Sequence, residues 1–144
     1  MSVTIEYVEK LFRNLSTGNS RVFFENVADD VQWTVTGTHP MAGVYKTKAD
    51  FLAHTLQRLN KLLTGDLVLN VDHITAAGDT AVVEMTSAST ARNGKPYVNR
   101  YCWVVRFDRG VIKEVRAYLD SFLVHQTIAE NEPPPAPPLA AVKA

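Results

Sequence analysis

At 144 residues the chain has the length of a single domain, and such a chain buries about two-thirds of its unfolded surface, so its core needs no disulfide or metal. Fifteen Lys and Arg balance fifteen Asp and Glu, which argues against a general nucleic-acid binder and against a polybasic membrane anchor. A lone cysteine, Cys102, excludes an internal disulfide and a zinc site of paired cysteines. No apolar run reaches the ~18–20 residues of a membrane span, and the acidic amino-terminal segment lacks a signal-peptide cleavage pattern, so the expected compartment is the cytoplasm.

Ile5, Val8, Leu11, Phe12 and Leu15 recur at helical spacing and predict an amphipathic helix over 4–17, stopped at Gly18. Asn19 or Ser20 caps a shorter second helix with Val22, Phe23 and Val27 on one side. After Asp29-Asp30 the β-branched, aromatic segment VQWTVTG reads as a strand, and THPMAG (38–43) as a loop. Thr47 and Asp50 form a capping box, with Asp in place of Glu, at the head of a third helix that ends at Gly65. Everything after that reads as strand: 67–79, 80–91, 97–108 and 111–124, with Asn93-Gly94 the strongest hairpin signal. Helices first and antiparallel strands after predict an α+β fold, with three amino-terminal helices preceding a mainly antiparallel sheet. Residues 1–128 form one domain; 129–144 form a Pro-rich tail with five prolines in 133–138, read as extended and disordered. PPPAPP also suits a polyproline II ligand.

Trp33 with GTHPMAGVY (37–45), GKPYVNRY (94–101) and GVIKEVRAYLD (110–120) resemble the SnoaL-like and ketosteroid-isomerase-like branch of the nuclear-transport-factor-2-like superfamily. The resemblance covers roughly residues 3–125. It implies a cone: a curved sheet wrapped around helices, with an apolar pocket open at one end. Its members include isomerases, aldol cyclases, epoxide hydrolases, dehydratases and proteins without catalysis, so the fold does not fix the function.

Strand alternation then selects the side chains that enter such a pocket. Over 97–107 one face carries Tyr97, Asn99, Tyr101, Trp103, Val105 and Phe107, the other Val98, Arg100, Cys102, Val104 and Arg106. In the last strand Glu114, Arg116, Tyr118, Asp120 and Phe122 oppose Val115, Ala117, Leu119 and Ser121, and parity leaves the inward face open, since a bulge exchanges the two. Asp120, at the end of an apolar strand, is the expected general acid or base, its carboxyl raised by partial desolvation; the resemblance adds to this, because related enzymes place an acid there. The alternative is a strand-end carboxylate bonded to a neighbouring loop. Tyr101 and Asn99 supply a phenol donor for an oxyanion and an orienting amide, or else pack with local partners. His39, beside Pro40, is a proton shuttle or a loop cap. Trp33, Tyr45, Phe51, His54, Met85, Trp103 and Tyr118 are the expected lining, against a default reading as core.

The four histidines make no metal set by spacing, and no Gly-rich phosphate loop or nucleophile elbow occurs. The resemblance also narrows the chemistry. Asn99-Arg100-Tyr101 lacks the Asp–Arg pairing of the epoxide hydrolases, and the second oxyanion-hole Asp of the steroid isomerases is missing. The expectation is a pocket that uses no cofactor or metal and binds a small apolar or amphipathic organic molecule. If it is catalytic, it moves a proton next to a carbonyl as an isomerase, aldol-type cyclase or dehydratase. The alternative is a non-catalytic ligand-binding or protein-assembly module. The half-apolar outer sheet face (Val98, Arg100, Val104, Arg106) suggests a homodimer.

Overall fold

The structure, a computed structural model, describes residues 2–134. Helix α1 (Ile5–Phe12) starts where the Thr4 side chain accepts from the Tyr7 N–H, and it buries Val8, Leu11 and Phe12. A 3-10 turn (Arg13–Leu15) leads to α2 (Ser20–Glu25), which delivers Phe23 and Phe24 to the core. Strand β1 (Val27–Val35) then pairs with the short β2 (Gly43–Tyr45) across the 36–42 loop.

The third predicted helix is built in pieces. Thr47 caps α3 (Lys48–Phe51) by accepting from the Asp50 N–H, a π-helical turn covers Leu52–Leu56, and α4 (Gln57–Asn60) completes it. Thr55 donates its hydroxyl to the Phe51 carbonyl at 2.6 Å, a side-chain competitor that accompanies the widened turn. Lys48 ties this unit to the preceding segment, donating to the Phe24 and Val27 carbonyls.

The six-stranded sheet has the order β2-β1-β8-β7-β4-β3. Its later strands are β3 (Leu69–Ala77), β4 (Thr80–Ser87), β7 (Arg100–Asp108) and β8 (Val111–Leu119). All pairs are antiparallel except β1 with β8, which run parallel because β1 precedes the meander and closes onto its last strand. A separate ribbon, β5 (Ser89–Thr90) with β6 (Pro96–Tyr97), carries the Asn93-Gly94 turn. The α+β fold with helices against a curved, mainly antiparallel sheet is therefore observed.

The first strand starts earlier than predicted, at Val27, the 67–79 strand is trimmed to Leu69–Ala77, and the 80–91 strand ends at Ser87, with Ser89–Thr90 turning into the ribbon; two later segments depart further. The 97–108 segment is interrupted after Tyr97, and the main strand resumes at Arg100. The 111–124 segment stops at Leu119, and Ser121–Asn131 form a helix, α5, whose opening apolar run FLV reads as a continuation of the strand. Asp120 makes the switch: its backbone is extended and its side chain accepts from the Leu123 N–H. Val124, Thr127 and Ile128 are the buried positions of α5, at helical spacing.

Helix α5 thus extends three residues into the segment assigned to the tail, and Glu132 beyond it is held by Arg58 through two short bonds, 2.7 and 2.8 Å. Residues 135–144, most of the Pro-rich run, lie outside the described residues. Among the described residues no helix is long and apolar enough to cross a membrane.

A bulge settles which face of β8 is inward. Arg106 pairs with Glu114, yet Phe107 pairs with Ile112, so Lys113 is the extra residue. Ile112, Val115 and Ala117 are consequently all buried, while Arg116 and Tyr118 are exposed.

Candidate functional site

The concave face of the sheet and the helices α2 to α4 enclose a cavity of about 80 Å³. Its aromatic wall comprises Phe24, Trp33, Phe51, Tyr97, Tyr101 and Trp103. Ala117 leaves room between the large rings, because its β8 position pairs directly with Trp103. Trp33 stacks on Phe51 with ring centroids 3.9 Å apart and 18° between planes, and meets Trp103 edge-on at 5.1 Å and 84°. Both indole Nε1–H groups are buried and have no hydrogen-bond partner among the described residues.

The polar part of the cavity is a chain that starts outside it. Asn99 is fully buried. Its side-chain oxygen accepts from the Asp120 N–H at 3.0 Å, and its amide donates to the Asp120 carbonyl at 3.2 Å and the Tyr97 hydroxyl at 3.1 Å. Its backbone is tied to Ser87, whose hydroxyl accepts from the Asn99 N–H and donates to the Tyr97 carbonyl. The Tyr97 and Tyr101 hydroxyls lie 2.7 Å apart. Tyr97 is fully buried and already accepts from Asn99, so donation to Tyr101 is the arrangement that gives its own proton an acceptor. The Tyr101 proton is then directed to the cavity. Burial pushes the Tyr101 phenol well above its ordinary value and also raises Tyr97, on which the nearby Asp120 charge acts in the same direction. Tyr101 therefore stays a neutral donor near pH 7. Tyr97, on the inward face of its segment, is the member of the chain that sequence reasoning did not single out; the Tyr97–Tyr101 spacing on one strand face was its signal.

The remaining expected site residues divide. Trp33, Phe51, Trp103, Tyr101 and His39 line the cavity. Asn99 does not: its amide is spent on the junction between β7 and α5. Asp120 is exposed and serves as the amino-terminal cap of α5, which corrects the expectation of a desolvated carboxylate at an inner strand end. The cause is the chain reversal at residue 120, which replaces a strand end by a helix start. Tyr118 is 44% exposed on the outer face beyond the Lys113 bulge, and His54 is exposed on the π-helical turn with Nδ1 at 2.9 Å from the Asp50 carbonyl; neither enters the cavity. Met85 is buried in the sheet core opposite Tyr101. Tyr45 is half-buried outside the lining, where it donates to the Met41 carbonyl.

His39 is held in one tautomer. Nδ1 accepts from the Met41 N–H at 3.2 Å, so the proton sits on Nε2, which donates to the Thr36 carbonyl at 3.1 Å. Burial lowers its pKa below the usual 6.5, with His125 adding to the effect and the Thr36 contact opposing it. Both ring nitrogens are occupied by backbone, so the proton-shuttle role has no free atom in this geometry. Among the described residues, Asp66 is the one carboxylate in the lining, exposed at the rim. No group of three or more His, Cys, Asp or Glu is placed to hold a metal among them.

A curved, mainly antiparallel sheet closed over helices is the architecture of the cone-shaped nuclear-transport-factor-2-like class. Residues 8–115 match the family model for the SnoaL-like domain, and the chain belongs to that family. It is 29% identical over 134 residues to the dimerizing cyclase phiC of Fungal sp. (strain ATCC 74256) and 28% identical over 134 residues to the dimerizing cyclase tstC of Talaromyces stipitatus. Each match covers 90% of this chain but 59% of the relative, so the chain spans about three-fifths of the length of these proteins. An NTF2-like protein from Burkholderia thailandensis superposes with a TM-score of 0.73 at 24% identity, covering 85% of this chain and 95% of that one.

Proposed function

We propose that the chain is a cofactor-free enzyme of the cyclase or isomerase type, which binds a small, largely apolar carbonyl compound in the aromatic cavity and moves a proton on the carbon beside the carbonyl. The observation that carries this is the Tyr101 hydroxyl, backed by Tyr97 and Asn99, inside a cavity otherwise walled by apolar and aromatic side chains. A phenol donor in such low-polarity surroundings stabilises negative charge developing on the carbonyl oxygen far better than water does. Asp66 at the rim is the lining carboxylate available to take or return the carbon-bound proton. The names of the two fungal relatives support a cyclisation as the overall reaction. We also place two copies together through the outer sheet face.

The test is exchange of the α-proton of enolisable cyclic ketones in deuterated water, followed by NMR. Protein-dependent exchange is expected, falling by about 10²-fold in Tyr101→Phe and falling also in Asp66→Asn. Exchange unaffected by either substitution overturns the assignment. A second reading, a protein-assembly module without chemistry, is favoured by the cavity volume of about 80 Å³, small beside the ~300–1,000 Å³ of ordinary ligand sites. Neither exchange nor saturable ketone binding would be seen in that case.

A further inference from the structure

Asn93 is the one asparagine in the chain followed by glycine, and its turn is an anchor for the end of α5. The Asn93 N–H donates to the Asn131 side-chain oxygen at 2.9 Å, and the Asn93 amide donates to the Glu130 carboxylate at 2.9 Å. Lys95 adds an ion pair to the same carboxylate at 3.0 Å. Asn93, Lys95 and Glu130 are all exposed. The Glu130 carboxyl is held below its ordinary 4.5, by Lys95 first and also by the Asn93 amide, so it is charged at neutral pH.

The same turn assembles the parts of an intramolecular acyl substitution. The nucleophile is the Gly94 backbone nitrogen, which no Cβ shields. The electrophile is the Asn93 side-chain carbonyl carbon, one residue before it and within reach for a succinimide ring. The Lys95 N–H donates to the Asn93 side-chain oxygen at 3.1 Å, which polarises that carbonyl and supports the oxyanion formed by attack. Gly94 sits at φ +88°, and a Cβ built there would meet nothing within 4 Å, so the tip of the turn is open to water. Two bonds restrain the reaction. The Gly94 N–H donates to the Ala91 carbonyl at 2.9 Å, and Glu130, in the last turn of α5, holds the Asn93 amide.

We propose that Asn93 is a self-modification site guarded by α5, and that its conversion to a carboxylate unfastens the helix one way. The Gly94 nitrogen gives its proton to solvent and bonds to the Asn93 Cγ. The Cγ–Nδ2 bond breaks, and the side-chain nitrogen takes up a proton and departs as ammonia, leaving the succinimide. Water then opens the ring at Cγ to give Asp, or at the Asn93 main-chain carbonyl carbon to give isoaspartate. The sum is amide plus water to acid plus ammonia, with no oxidation or reduction. The product has lost the donor to Glu130 and faces that carboxylate with a like charge. Isoaspartate also lengthens the main chain of the ribbon and draws its N–H away from Asn131. Because α5 contributes Val124 to the cavity wall, loosening its end opens the cavity on that side, whatever chemistry the cavity performs.

The native chain is incubated at pH 8 for days, and the peptide carrying Asn93 is followed by mass spectrometry and by enzymatic methylation of isoaspartate. Acid and isoaspartate are expected at Asn93 ahead of every other asparagine, and Glu130→Ala should raise the rate severalfold. The modified fraction, separated by ion exchange, should show amide exchange severalfold faster across α5 and the β5–β6 ribbon, with the central strands unchanged. Asn93→Asp should reproduce this, and where that variant fails to fold the separated fraction decides. An Asn93 that stays intact, a rate indifferent to Glu130→Ala, or α5 exchange in the modified fraction equal to that of the native chain overturns the proposal.

Discussion

Asn99 shows what a buried amide needs in order to be tolerated: each of its four polar atoms is paired, and three of the pairs bridge to Asp120 or Tyr97. Asp120 in turn acts through its backbone and its cap. Asn is as good an amino-terminal cap as Asp, so Asp120→Asn should leave thermal stability nearly unchanged and α-proton exchange intact. Asp120→Ala removes the bond to Leu123 and should cost about 0.5–2 kcal/mol in denaturant unfolding. A large loss of exchange in the Asn variant at unchanged stability would restore the carboxylate to the chemistry. His39 makes a pH-dependent contribution. Its folded pKa lies below the unfolded value of 6.5, so the unfolded chain binds the proton more readily. Its stabilisation is complete above 6.5 and is lost as pH falls through the lower folded pKa. The gap in melting temperature between the native chain and His39→Gln should therefore narrow from pH 8 to pH 5, and a constant gap would contradict this.

Among the elements, α5 is the one that closes the cavity from the carboxyl-terminal side, contributing Val124 to the lining. It is fastened at both ends. The Asp120 cap holds its start, and near its end Glu130 meets Lys95 and Asn93 while Glu132 meets Arg58. The approach at its start is close. Gly37 sits at φ +115°, and a Cβ there would run into the Ser121 side chain and the His39 ring, so the 36–42 loop and α5 pack only around a glycine. The Arg58 guanidinium holds the Glu132 carboxyl below its usual 4.5. That stabilisation is present above pH 4.5 and is lost as pH falls through the lowered pKa. Glu132→Gln should lower the melting temperature at pH 7 by no more than ~4 °C, the scale of a half-exposed ion pair of up to ~1 kcal/mol. The difference should vanish well below pH 4.5, and faster amide exchange confined to α5 would locate it. An unchanged melting temperature at pH 7 would mean that α5 is held by its apolar face alone.

For the whole molecule, the sheet has two unlike surfaces. The inner one is the aromatic cavity wall, and the outer one mixes Arg100 and Arg106 with Tyr118, while Val98, 54% exposed, sits in the break just before β7. Apolar side chains interleaved with charges on an open sheet face suit a two-fold interface in which each copy's arginines meet the other's acids. Sedimentation equilibrium at micromolar concentration should return about twice the chain mass, and Val98→Asp with Tyr118→Asp should shift it toward the monomer. A native chain that sediments as a monomer removes the two-fold arrangement without touching the cavity.

The sequence by itself determined the fold class and most of its elements, because alternation along 97–107 and the three-four spacing of 5–15 are local consequences of burying one face. It also determined that Tyr101 and Trp103 point inward, since strand parity carries that information directly. Asp120 was beyond its reach: the apolar run FLV after a long strand reads as more strand, and only packing of Val124 and Ile128 against the cone makes the segment a helix. The inward face of β8 depended on one extra residue, Lys113, which parity cannot register. Which polar atoms remained free was likewise decided by the tertiary structure. Asn99 and His39 look available in sequence, and both are consumed by backbone groups that come from distant parts of the chain or from the loop's own turn. The donor left over, on Tyr101, is defined by what failed to reach it, and that is a property of the folded cavity alone.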